Sequence, residues 1–203
     1  LASNLTMMEK TSSAHLRNHI TPTKDIIFLL ANYLTCLFIM IFQIFVLLLI
    51  SIFLFNVSIN VFSPQFFILG LLALIVSTVF IFFGMFVGYL FRSRETSTLG
   101  AISFSTIFFV LSDVIVPVES IPSELMFLTE FNPFMISSQL FRQVILFGNT
   151  SSLGPNLYYI LIYLVIFFAL TMTSLIHFKK THLMDKLSKK EHSFVSKFRK
   201  KKK

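Results

Sequence analysis

Charge is scarce in this chain. Asp, Glu, Lys and Arg make up 13% of its 203 residues, against about 25% in an ordinary soluble domain, which leaves too little polar side chain to coat a surface facing water. None of the four occurs between Ile26 and Phe91. Cysteine is nearly missing as well. Cys36 stands alone, which excludes an internal disulfide framework and a cysteine-based structural zinc site and leaves packing within a helix as its expected role. The phosphate loop G-x-x-x-x-G-K-[ST] does not occur, so the sequence shows no means of binding ATP. H-E-x-x-H, C-x-x-C and G-x-S-x-G are absent too, and the apolar segments carry no series of carboxylates of the kind a proton relay needs. His15 and His19 are four apart, but two imidazoles without a third ligand read as surface histidines. These absences argue against an enzyme and predict no catalytic residue, no metal site and no cofactor in this chain.

What the chain does have is apolar bulk: 55% hydrophobic residues, 27 of them phenylalanine, and a mean hydropathy of +0.82. The uncharged stretch from Ile26 to Phe91 is longer than the roughly 20 residues of one bilayer-crossing helix and has room for two with a turn. The expected fold is an all-α integral membrane protein with four transmembrane helices, at about 26–54, 66–91, 99–116 and 157–178, plus a short outer re-entrant helical hairpin at 118–148. Residues 1–25 form a polar segment in which Met8, Leu16 and Ile20 fall near helical spacing, predicting a short amphipathic helix at the membrane surface that breaks at Thr21-Pro22-Thr23. Residues 179–203 are a basic tail, which suits anionic lipid.

Within the spans, Gly84 and Gly88 are one turn apart and clear one helical face for a close neighbour. The third span is the most polar, with Ser103, Ser105, Thr106, Ser112 and Asp113, and is expected to end at Pro117. Its hydroxyls either bond back to their own helix or face a partner or a wet pathway. Asp113 is the one acid inside a span and is read as reaching out to water or to the Glu119 region. In the hairpin, Ser120-Ile121-Pro122-Ser123-Glu124 and Asn132-Pro133 both read as helix starts. After the second, Ile136, Leu140, Phe141, Val144 and Ile145 form an apolar stripe opposite Ser138, Gln139, Arg142 and Gln143.

Orientation follows from counting basic residues. Lys10, Arg17, Lys24, Arg92, Arg94 and every basic residue from Lys179 onward fall on one side, and Arg142 alone falls on the other, so both termini are expected in the cytoplasm of a multi-pass cell-membrane protein. The +8 net charge is therefore topology rather than a nucleic-acid surface. The first 25 residues lack the pattern of a cleaved signal peptide, and with Leu1 as its first residue the chain is expected to be the C-terminal part of something longer.

The order of these features resembles the permease subunit of ABC transporters of the type-2 exporter class. Glu9-Lys10 and Thr21-Pro22-Thr23 ahead of an apolar span look like the cytoplasmic loop before that family's third helix, and Gly84 to Glu95 is similar to its fourth helix and second inner loop. A hydroxyl-rich helix, then Ile121-Pro122, Phe131-Asn132-Pro133-Phe134 and Leu140-Phe141-Arg142-Gln143-Val144, looks like its fifth helix and outer re-entrant hairpin. The last span and basic tail correspond to its sixth. The family has six helices per permease half, so the first two are missing here.

The resemblance implies a membrane subunit of an ATP-driven exporter of hydrophobic or amphipathic cargo, with ATP bound on a separate ABC ATPase and a second permease half, a homodimer, completing the assembly in membrane lipid. It assigns ATPase coupling to Glu9, Lys10, Leu16, Arg17, Pro22, Arg92, Arg94 and Glu95. It assigns pathway lining to Ser103, Ser105, Thr106 and Ser112, and an outer gate to Pro122, Asn132, Pro133 and Arg142. Two readings from other classes stand beside it: a four-helix membrane scaffold without transport, and an ion-coupled carrier relying on Asp113.

Overall fold

The computed structural model describes residues 1–11, 25–56, 63–91, 93–115, 123–147 and 153–201. The described residues form helices and no strands: α1 (Ala2–Thr11), α2 (Asp25–Phe53), α3 (Pro64–Leu90), α4 (Arg94–Val110), α5 (Ser123–Glu130), α6 (Pro133–Phe147) and α7 (Gly154–Lys201). Among the described residues, three helices are long and apolar enough to cross a membrane: Ile26–Phe53, Pro64–Leu90 and the Gly154–Phe178 part of α7. α4, expected as a fourth span over 99–116, has 17 residues and a rise of roughly 26 Å, short of a hydrocarbon core of about 30 Å.

Local chemistry sets the helix ends. Ser63 begins α3, its Oγ accepting from Phe66 N at 3.2 Å with Pro64 in the first turn, where a missing N–H costs nothing. Ser93 does the same for α4, accepting from Thr96 N at 3.2 Å. This start draws Arg94 and Glu95 into the helix, five residues ahead of the expected beginning at Leu99. At its other end α4 stops at Val110 rather than Val116, because Ser112 turns back: its backbone N–H and its hydroxyl both donate to Phe109 O, at 3.2 and 2.5 Å. α6 starts at the expected Asn132-Pro133, with Phe134 N donating to Asn132 Oδ1 at 3.0 Å. α7 takes Pro155 into its first turn and continues through Lys201. No proline or glycine follows Pro155, and the lysine-rich stretch read as a tail is made of good helix formers.

α3 is the centre, packing on α1, α2, α4, α6 and α7. Leu72, Val79, Met85 and Val87 are buried in it. α7 lies along it, with Ile160 and Phe167 buried and Thr171 Oγ1 donating across to Phe82 O at 2.9 Å. Phe83 gathers Phe104, Phe108 and Phe167 around it at 5.1–6.0 Å, in edge-on and tilted arrangements that suit the ring quadrupole. α2 is peripheral. Only Leu29 and Cys36 are fully buried on it, the latter bearing out the packing role for the lone cysteine. Tyr33 adds a ring stacked on Phe82 at 5.2 Å and a hydroxyl 3.0 Å from Thr78 Oγ1. Leu37 and Met40 pack partly buried against the same core, and the other side of α2, including Phe38, Phe42 and Phe45, is exposed, as a helix bordering lipid requires.

The first ten residues depart furthest from expectation. α1 does not lie free with Met8 on an apolar face. Met8 is half exposed, while Ser3, Thr6 and Met7 are buried where α1 packs against α3, α4 and α2. Leu16 and Ile20, the other members of the expected apolar face, lie outside the described residues.

Candidate functional site

Two polar clusters mark the opposite ends of the bundle. At one end α1 meets the end of α3, the start of α4 and the start of α2. A Cβ on Gly84 would sit 2.9 Å from Ala2 Cβ, and one on Gly88 would sit 2.8 Å from Thr6 Cβ and 2.9 Å from Ser3 O. The small-residue spacing therefore admits α1. Signals for the partner face were present in the small residues Ala2, Ser3 and Thr6 at helical spacing, which the sequence reading did not use. Ser3 Oγ lies 2.5 Å from Ser97 Oγ, and Thr98 Oγ1 donates to Asn4 Oδ1 at 2.8 Å, so α1 is tied to the first turns of α4 by hydroxyls.

Glu9 and Lys10 extend this cluster. Lys10 Nζ donates to Gly88 O, Tyr89 O and Phe91 O at 3.1, 3.2 and 2.7 Å, satisfying carbonyls that the end of α3 leaves without helical partners. It also lies 4.4 Å from the centre of the Phe178 ring, a cation–π distance. Glu9 accepts from Asn32 Nδ2 on α2. Burial pushes the Glu9 carboxyl above its usual range, the Asn32 hydrogen bond pulling the other way. Burial also lowers the Lys10 ammonium to about 8. These two neighbours thus join α1, α2, α3 and α7 at one point. Arg94 and Glu95 stand exposed at the start of α4, on the same end. Leu16, Arg17, Pro22 and Arg92 lie outside the described residues.

Between the ends runs the exposed side of α4. A groove of about 250 Å³ between α1 and α4 is bordered by Ser3, Asn4, Thr98, Ser105 and Thr106. A second, about 540 Å³, follows α4 along Ile102, Ser103, Thr106, Ile107, Val110 and Leu111. Ser105 thus borders the first groove, Ser103 the second and Thr106 both. Ser112 borders neither, being fully buried with its hydroxyl bonded to Phe109 O.

At the far end, Asp113 does not reach out to water alone: Arg142 Nη1 is 2.7 Å from its Oδ2, and Ser138 Oγ donates to its Oδ1 at 2.8 Å. Asn132 starts α6 and also donates from Nδ2 to Phe108 O at 2.6 Å. Tyr163 on α7 donates to Phe131 O. Pro133 occupies the first turn of α6 and Arg142 is half exposed on it, whereas Pro122 lies outside the described residues. The apolar stripe of α6 is narrower than expected: Ile136, Leu140 and Val144 are buried, Phe141 is half-buried, and Ile145 is 62% exposed.

Several long apolar helices, with polar side chains collected at the two ends and along α4, define a polytopic α-helical membrane protein. Residues 1–173 match the family model described as ABC-2 family transporter protein. The chain belongs to that family, and is thus a membrane permease of an ABC transporter, a class of transport subunit that associates with an ABC ATPase. No curated protein and no solved structure matches it.

Proposed function

We propose that this chain forms one wall of the translocation pathway of an ABC exporter for a hydrophobic or amphipathic cargo, driven by ATP bound on a separate subunit. The observation that carries the reading is the continuity between α4 and the Lys10 end. The helix bearing the exposed Ser103, Ser105 and Thr106 is tied through Ser97 and Thr98 to α1. The Glu9-Lys10 pair at the end of α1 then holds α2, α3 and α7. A push on the segment after Lys10 reaches every long helix at that end, which is how an energised partner would move them without any chemistry in this chain.

The grooves along α4 are walled on one side, so a second copy of the chain supplies the facing wall. α4, at 17 residues, serves as a short fourth span that the bilayer accommodates by thinning locally, and α5 and α6 as the outer hairpin. The basic residues put the Lys10 end and both termini in the cytoplasm of a cell membrane, with the helical lysine-rich stretch against anionic lipid. Pairing of Asp113 with Arg142 speaks against an ion-coupled carrier, because the acid already has its counter-charge.

Glu9→Lys tests the coupling. The variant should insert and assemble normally, and its partner ATPase should hydrolyse ATP without the stimulation that accompanies transport. Normal stimulation in Glu9→Lys would count against the reading, as would failure of any ABC ATPase to co-purify with the wild-type chain in mild detergent.

A further inference from the structure

Three side-chain bonds join the end of α4 to α6, and apolar packing demands none of them. Asn132 Nδ2 reaches Phe108 O at 2.6 Å, Ser138 Oγ reaches Asp113 Oδ1 at 2.8 Å, and Arg142 Nη1 reaches Asp113 Oδ2 at 2.7 Å. Ser138 and Arg142 are four residues apart on α6, hence on one face, and between them they hold both oxygens of one carboxylate. The opposite face of α6 is of another kind. Ile136, Leu140 and Val144 are buried where α6 packs on α3 and α7. α6 is thus fixed to the core by apolar surface, whereas the end of α4 is held to it by these three polar bonds and one edge-on ring contact, Phe109 to Phe134 at 5.4 Å.

The two attachments break differently. Separating the apolar face would expose several buried side chains together. Separating Asp113 from Arg142 frees a guanidinium whose side chain is already 51% exposed and which water can solvate, while the carboxylate, 10% exposed, keeps the Ser138 hydroxyl as a partner. Resting on the reading that α4 lines the pathway, we propose that Asp113, Ser138 and Arg142 form a latch that keeps the Arg142 end of α4 closed against α6 and opens when cargo leaves. The groove along α4 ends at Leu111, two residues before the latched carboxylate, so release of Asp113 opens the groove at that point. The latch sets the balance between closed and open states, and weakening it shifts the population toward open without any ligand.

The test needs no cargo. Leu111→Cys, in the complex with its ATPase in lipid nanodiscs, is labelled by a membrane-impermeant maleimide, with the buried native Cys36 as internal control. With an intact latch, labelling should be slow and should rise about fivefold on adding ATP, the factor that corresponds to about 1 kcal/mol for a partly exposed ion pair. Adding Arg142→Gln should give the fast rate without ATP. The double change Asp113→Arg with Arg142→Asp should restore the slow rate by re-forming the pair in reverse. Equal rates in the latch-intact, Arg142→Gln and charge-swapped proteins would overturn the latch. A parallel rise at Cys36 would overturn it too, because the ion pair would then be holding the whole fold together rather than one seam. The ATP-free comparison reads the latch even if the transport assignment fails.

Discussion

The two ends of this bundle are fastened by different chemistry. At the Lys10 end small residues bring helix against helix: Gly84 and Gly88 admit α1 so closely that no side chain fits between, and the Ser3–Ser97, Asn4–Thr98 and Glu9–Asn32 bonds and the Lys10 bonds to main-chain carbonyls add to that closeness. At the Arg142 end the links are side-chain bonds without such closeness: Asp113 to Arg142 and Ser138, Asn132 to Phe108 O and Tyr163 to Phe131 O. Steric closeness cannot be loosened in part, whereas side-chain bonds can be exchanged for water. One end is accordingly suited to transmit movement and the other to yield to it.

The sharpest way to break this comparison is at Gly88. Gly88→Leu would push directly into Thr6 and the Ser3 carbonyl, and should lower stability by about 3 kcal/mol, at the upper end of overpacking costs. Gly70, which has nothing within 4 Å of an added Cβ, should tolerate Ala without loss or with a gain of up to about 1 kcal/mol in helix propensity. Thermal unfolding in detergent separates the two, and equal effects would show that close approach is not what holds α1.

Asn132→Ala addresses the other end. It removes both the first-turn bond of α6 and the link to Phe108 O, and should cost about 1–2 kcal/mol while leaving α1 in place. A nitroxide pair on α1 and α3 should keep its distance in this variant. A changed distance would mean that the two ends are one cooperative unit.

The smallest effect concerns pH at Lys10. Its native value of about 8 lies below the ordinary 10.5, so between those values the unfolded chain binds the proton more tightly and stability should rise with pH. Lys10→Met should flatten that rise in a melting series from pH 7 to 10, without disturbing the Arg142 end. A slope unchanged by the substitution would place the titrating group elsewhere.

Much of this was legible in the sequence, for local reasons. The uncharged run from Ile26 to Phe91 could only be two long helices with a turn. Asn132-Pro133 could be read as a helix start because the cap bond and the first-turn proline are matters of a few residues. That α4 is rich in hydroxyls could be read off Ser103, Ser105 and Thr106, but whether they bond back or stand open could not, and all three are exposed. Ser112 broke that pattern because its hydroxyl turns back on Phe109 O, a choice made where α4 meets Asn132 and α6.

Composition and periodicity alone thus determined that this is a helical membrane protein, since apolar surface must leave water whatever the topology. They also placed α2, α3 and the start of α7 to within three residues, but not the end of α7 at Lys201. Tertiary structure decided which small residues receive α1, that Lys10 is held by the end of α3, and that Asp113 faces Arg142 across 28 intervening residues. Those pairings join residues far apart in the chain, and an isolated segment cannot encode which distant carbonyl or guanidinium will stand beside it.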